Sequence, residues 1–343
     1  MEPPTVGTVV AATAVVIGAE ASKLHYVQVS AGEQYTYLVR SDGKIDRSTG
    51  GGKVSSRLAP EDWPKVTYTL AACGMHASYM IRSDGSLDRY TSATKCATIR
   101  CPDGARYVWA SCSDSKAYVL RDDGVVDVFK NAKDITAMPC PDGAKYVSVN
   151  AGINATYLTR DDGKIDRTTG SCKVSCVIVP EEEGVTFLGV SEQVLCHRGP
   201  KGEDYSNMHS YFIRSDGAID RTHGLGKVET KHRVVPTSHV EGELKLGKYV
   251  SASATATSSY FVRADGTVDR YTGPSSKMLS MVAPQRERAT IQAAYVQVSA
   301  HNAATYLLRD DGLVDRTTGK GAISCTLTPT EQEPETGGGC AIM

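Results

Sequence analysis

Polar and apolar positions along this chain fall into short alternating runs rather than helical stripes. Tyr26-Val27-Gln28-Val29-Ser30-Ala31 alternates with period two and ends on small residues, the pattern of a half-buried strand. Tyr37-Leu38-Val39-Arg40 reads as a second strand. It stops at Ser41-Asp42-Gly43, and Asp-Gly is a strong hairpin signal because both residues tolerate positive φ. Residues 44–47 read as a third strand, and a fourth begins near Lys53-Val54 and ends before Pro60. No apolar period of 3.6 accompanies these runs, so helices are not expected.

The unit recurs. Tyr-x-x-Arg-x-Asp-Gly-x-aliphatic-Asp is found around Arg40, Arg82, Arg121, Arg160, Arg214, Arg263 and Arg309, at spacings of 42, 39, 39, 54, 49 and 46 residues. Four short strands per repeat of this length make one propeller blade. The expected fold is all-β, a seven-bladed β-propeller of four-stranded antiparallel blades over residues 21–328. Residues 1–20 are read as an N-terminal strand closing the ring, because residues 8–17 sit where a fourth strand would complete the blade begun by the last copy. Residues 323–328 could supply that strand as well. Residues 329–343 read as a flexible tail.

The segments Val-x-Val-Ser-Ala-Gly and Asp-Gly-x-Val, repeated in this order, resemble the regulator of chromosome condensation family of propellers. The resemblance spans roughly residues 21–328. It departs from that family after the third strand, where Asp-Arg-x-Thr-Gly stands in place of an aromatic followed by Trp-Gly. The plant ultraviolet photoreceptor of this fold uses a tryptophan cluster. Only Trp63 and Trp109 are present here, which argues against that activity.

The repeated Asp-Arg dipeptide reads as structural. Adjacent strand residues point to opposite faces, so an aspartate of one blade is expected to meet an arginine of the next. The pairs are Asp46-Arg47, Asp88-Arg89, Asp166-Arg167, Asp220-Arg221, Asp269-Arg270 and Asp315-Arg316. The third copy has Val128 in the arginine position. One aspartate, such as Asp88 or Asp166, is therefore expected to find a tyrosine hydroxyl, a backbone N–H or water instead.

Composition narrows the function. Lys and Arg number 38 against 39 Asp and Glu, which provides no general attraction to nucleic acid. Ten cysteines in a chain of this size read as reduced strand cysteines, and no pair of C-x-x-C knuckles exists to hold a metal. Each Asp-Gly turn offers one oxygen side chain, too few for a calcium loop. The histidines are scattered and no catalytic motif accompanies them, so no catalytic residue and no cofactor are expected and a non-enzyme is favoured.

Where the repeat is interrupted, a partner can bind. The longest interval contains Cys196-His197-Arg198-Gly199-Pro200-Lys201-Gly202-Glu203-Asp204-Tyr205, an exposed and charged segment. His197, Arg198, Lys201, Glu203, Asp204 and Tyr205 are its candidate contacts. A second long interval, residues 227–248, could widen the same face. At the C-terminus, Cys340-Ala341-Ile342-Met343 matches a prenylation box, with Met343 favouring farnesyl. The tail before it carries Glu331, Glu333 and Glu335 and no basic residue, so one lipid would give weak, reversible attachment.

The leading expectation is a monomeric, non-enzymatic protein-binding scaffold, cytoplasmic, with a fraction held by lipid on the cytoplasmic face of a membrane. The resemblance implies an alternative, a guanine-nucleotide exchange factor or other regulator of a small GTPase. A secreted carbohydrate- or inhibitor-binding propeller is the third reading.

Overall fold

The computed structural model describes residues 23–332 apart from short loop segments, the longest being 193–197, 204–208 and 283–292. Seven four-stranded antiparallel sheets follow one another along the chain. Blade one is β1 (Tyr26–Ala31), β2 (Tyr35–Arg40), β3 (Ile45–Thr49) and β4 (Lys53–Leu58). Blade two is β5 (Tyr68–Ala72), β6 (Ser78–Arg82), β7 (Leu87–Thr91) and β8 (Thr94–Ile99). Blade three is β9 (Tyr107–Cys112), β10 (Ala117–Arg121), β11 (Val126–Phe129) and β12 (Ile135–Met138). Blade four is β13 (Tyr146–Ala151), β14 (Thr156–Arg160), β15 (Ile165–Thr168) and β16 (Val174–Ile178).

Blade five carries an insertion. Between β17 (Phe187–Glu192) and β20 (His209–Arg214) lies a two-stranded hairpin, β18 (Arg198–Gly199) with β19 (Gly202–Glu203). β21 (Ile219–His223) and β22 (Lys227–Val234) complete the blade, and a second hairpin, β23 (Thr237–Val240) with β24 (Glu243–Leu246), follows it. Blade six is β25 (Tyr249–Ala254), β26 (Ser258–Arg263), β27 (Val268–Thr272) and β28 (Lys277–Val282). Blade seven is β29 (Tyr295–His301), β30 (Ala304–Arg309), β31 (Val314–Thr317) and β32 (Ile323–Leu327). The only helical turns among the described residues are two three-residue 3-10 turns, Pro102–Gly104 and Pro141–Gly143. None of the described helices is long and apolar enough to cross a membrane.

The first strands touch one another in a closed circuit, from β1 through β5, β9, β13, β17, β25 and β29 back to β1. They form the inner wall, and the fourth strands lie outside. The core is divided accordingly. Each pair of neighbouring blades buries its own apolar cluster, such as Tyr37, Val39, Ile45, Tyr68 and Met80 between blades one and two. Tyr26, Val29, Leu38, Tyr306 and Leu308 do the same between blades one and seven, which closes the ring.

Each Asp-Gly turn is also a joint. The glycine carbonyl accepts a hydrogen bond from the first N–H of the next blade's inner strand, as in Tyr68 N–H to Gly43 O at 2.8 Å and Tyr26 N–H to Gly312 O at 2.8 Å. The second of these bonds joins blade seven to blade one. At Gly312, φ is +78° and an added Cβ would lie 2.3 Å from His25 Cβ. Only glycine satisfies both the turn and this approach.

The fourth strand of blade seven is Ile323–Leu327, paired with β31. The stretch 8–17 considered for that place lies outside the described residues. Beyond β32 the chain crosses onto blade one. Arg40 Nη1 donates to Thr330 O at 2.9 Å, and Arg57 donates to the carbonyls of Thr330 at 2.8 Å and Gln332 at 3.1 Å.

Candidate interaction surfaces

Antiparallel order fixes two faces. The Asp-Gly turns, the connections between blades and the crossing tail at Thr330–Gln332 share one. The loops joining first to second strands and third to fourth strands share the other. The β18–β19 hairpin lies on the second face and β23–β24 on the first. The expectation that residues 227–248 would widen the face of the insertion is therefore corrected: an even number of strand reversals would be needed to bring them together, and three lie between.

Within the insertion, Arg198 and Glu203 are register partners across the small hairpin. His197, Lys201, Asp204 and Tyr205 lie outside the described residues, as does Cys340.

The repeated aspartates are buried, and the structure gives them a different arginine from the adjacent one. Leu38 stands opposite Asp46 across the hairpin, so Arg40, two residues further along β2, is a diagonal neighbour on the same face. Arg40 Nη1 lies 3.4 Å from Asp46 and its Nη2 lies 2.7 Å from Asp42 of the turn. The arrangement repeats through Arg82 with Asp88, Arg121 with Asp127, Arg160 with Asp166, Arg214 with Asp220, Arg263 with Asp269, and Arg309 with Asp315. Hence the partner is intrablade.

The adjacent arginine turns to the opposite face of the blade. Arg47 lies 4.4 Å from the centre of the Tyr35 ring, and Arg89 Nε donates to Tyr79 Oη at 3.2 Å. Arg167, Arg270 and Arg316 donate to Ser175, Ser258 and Ser324. Arg221 stands opposite Tyr211 across the hairpin. The expected ring of Asp-Arg pairs between blades is therefore not formed.

A tyrosine completes six of the seven aspartate sites. The first residue of the inner strand donates its hydroxyl to the carboxylate, as Tyr26 to Asp46 at 3.0 Å and Tyr146 to Asp166 at 2.9 Å. Tyr68, Tyr107, Tyr249 and Tyr295 do likewise for Asp88, Asp127, Asp269 and Asp315. The hydroxyl expected for one unpartnered aspartate is thus the rule. Blade five has Phe187 in this place, and there Arg233 Nε reaches Asp220 at 2.6 Å. A constant spacing of 20 residues from Tyr to Asp, broken only where Phe187 occurs, was the signal in the sequence.

Burial holds the other reactive types neutral. Burial pushes the Cys73 thiol up to about 12 and the Cys140 thiol up to about 11. The seven described cysteines are unbridged, and no cluster of metal-ligating side chains occurs among the described residues. Trp63 Nε1 donates to Asp42 O with Lys44 over its ring, while Trp109 Nε1 donates to Val149 O of the next blade. Both tryptophans serve blade contacts.

One apolar feature stands on the Asp-Gly face. In every blade the register of the inner strand slips across its second residue. This bulged residue is Val27, Val108, Val147, Leu188, Val250 or Val296, with Thr69 in blade two. Val250 is 51% exposed, Val108 46% and Val147 39%. Inner-strand position, bulge and exposure together place a band of aliphatic side chains around the mouth of the central channel.

No family model matches the sequence, and no curated protein matches it. Solved structures match the fold. Yeast RCC1 (Prp20), in its complex with Kap60, aligns at a TM-score of 0.55 and 11% identity over 80% of this chain and 78% of that one. Human WBSCR16 aligns at 0.55 and 14% identity over 79% and 82%. The Myceliophteria thermophila Cps50 (Swd1) β-propeller domain aligns at 0.57 and 8% identity over 86% and 97%. The chain has the seven-bladed propeller fold of these proteins, shared equally with members inside and outside the regulator of chromosome condensation group.

Proposed function

We propose that the chain is a non-enzymatic protein-binding scaffold. The observation that carries this reading is the internal use of its repeated ionisable groups. Every repeated Asp is held by an Arg of its own blade, six are also held by a Tyr, and the buried thiols stay protonated. What remains available is surface: the insertion at 193–208 on one face and the mouth of the channel on the other.

In this reading the insertion is the partner site, and Cys340 carries a farnesyl group that gives reversible attachment to the cytoplasmic face of a membrane. Replacing residues 193–208 with a short Gly-Ser turn leaves the melting temperature unchanged and reduces partner recovery by proximity labelling in cells. Equal recovery of every partner by both proteins would refute the partner site. Cys340→Ser abolishes incorporation of a farnesyl analogue in cells, and an unlabelled wild type would refute the lipid.

Prp20 supports a second reading. Its binding to Gsp1p and histones has been described, and a comparable role here is regulation of a small GTPase. Nucleotide release from a panel of small GTPases tests it, and acceleration by the intact chain would replace the plain scaffold with an exchange factor.

A further inference from the structure

The band of aliphatic residues at the channel mouth has no partner within the described residues, and seven bulges keep it there. A bulge takes one residue out of the strand ladder and re-aims its side chain. Its recurrence in every blade, with an aliphatic residue in six, builds a continuous apolar rim. The inner wall below is polar and already engaged. Gln28 bonds Ala71, Ser30 bonds Cys73 N–H, Ser111 bonds Ala151 N–H, and Ser253 bonds Ala300 N–H. The rim is therefore the part of the channel suited to hydrocarbon.

The tail starts beside it. Thr330–Gln332 is fixed on the same face by Arg40 and Arg57. Arg57 belongs to the fourth strand, and three interstrand spacings of about 4.8 Å separate that strand from the first, roughly 14 Å. Cys340 lies eight residues beyond Gln332, a length that spans about 26 Å when extended. The tether thus reaches the mouth with slack, and Gly337-Gly338-Gly339 immediately before Cys340 let the chain fold over the rim.

We propose that the channel mouth is an intramolecular prenyl-binding site, which holds the isoprenoid on Cys340 of the same chain in equilibrium with a membrane-attached form. The proposal rests on Cys340 being prenylated. Docking lowers the apparent membrane affinity by the fraction of molecules left undocked, so a chain docked nine times in ten binds vesicles about tenfold more weakly than its free tail would.

The test uses the full chain labelled at Cys340 by farnesyltransferase with a fluorescent isoprenoid diphosphate. Two variants empty the mouth: Val108→Thr with Val147→Thr and Val250→Thr, which copies the residue found at Thr69, and the single change Val250→Asp. Thermal unfolding of the unlabelled proteins confirms that both fold. The expected result is a blue-shifted probe in lipid-free buffer for the wild type, independent of dilution. Both variants shift the probe to the red and bind phosphatidylcholine vesicles about tenfold more tightly.

Incorporation of the label with equal emission and equal vesicle affinity in all three proteins overturns the docking site and leaves prenylation standing. Loss of the blue shift on dilution assigns the mouth to a second copy and overturns the intramolecular form. Failure of the wild type to take the label overturns prenylation and this proposal together.

Discussion

Replacing Gly266 with Ala tests whether the Asp-Gly turns act as joints between blades. Gly266 has φ +83°, and a Cβ there would lie 2.2 Å from Ala294 Cβ and 2.6 Å from Ala294 Cα, on the backbone entering blade seven. Its carbonyl also accepts from Tyr295 N–H at 2.8 Å. Gly104 is the matched control: φ is +73° and nothing lies within 4 Å of its added Cβ. Both changes carry the left-handed backbone cost of about 1–2 kcal/mol. Both stiffen the unfolded chain alike, so their difference isolates the contact. A backbone atom cannot turn aside, and overpacking at Gly266 adds about 1–3 kcal/mol. Unfolding entropy of about 2.1 cal/mol/K per residue makes 1 kcal/mol worth roughly 1.5 °C in a chain of this size. Calorimetry should then show a loss of about 2–3 °C for Gly104→Ala and about 3–8 °C for Gly266→Ala. Equal losses would mean that blades six and seven do not depend on this contact.

Tyr146→Phe removes a hydroxyl bonded to a buried carboxylate and should cost about 1.5–3 kcal/mol in urea unfolding, whereas Phe187→Tyr should gain nothing because Asp220 already has Arg214 and Arg233. Burial alone would raise the Asp42, Asp162 and Asp84 carboxyls, but hydrogen bonds and charge, chiefly from Arg40 and Arg160 at the first two and Ser86 and Arg82 at the third, hold them below the usual 3.8. Their stabilisation is present above that value and is lost as pH falls through the lowered one, so the unfolding midpoint should be level from pH 7 to about 5 and fall steeply below about 4. Glu182, held down to about 2 by hydrogen bonds from Arg233 and Arg214, adds to the fall below 4.5, and Glu182→Gln should soften it. Cys73, raised by burial to about 12, should resist iodoacetamide at pH 8 in the native protein and react in urea, as read by mass spectrometry.

The architecture was legible in the sequence because its signals are local. Asp-Gly encodes a turn through the φ that its own two residues tolerate, and alternation such as Tyr26 to Ala31 encodes a strand within six residues. The partner of Asp46 was harder to read. Alternation along β3 says that Asp46 and Arg47 face opposite ways but does not say what each face meets. That depends on register across the hairpin, where Leu38 opposes Asp46 and brings Arg40 alongside. The tyrosine lies further off, across two strands. Only the constancy of its spacing, and the exchange of Phe187 for Arg233 in blade five, betrays it. The two long intervals looked alike as sequence and were separated only by counting strand reversals between them.

The joint between Gly312 and His25 has the same geometry as the joints between consecutive blades, and no sheet of the described ring borrows a strand from another part of the chain. The residues that begin and finish the ring, His25 and Thr330, stand side by side on the Asp-Gly face. Topologically the protein is a necklace whose clasp resembles its other links. Fusing residue 330 to residue 24 and opening the chain at any other link between blades would preserve every sheet and every turn. A circular permutant could therefore carry its free ends, and anything fused to them, to six other positions around the same face.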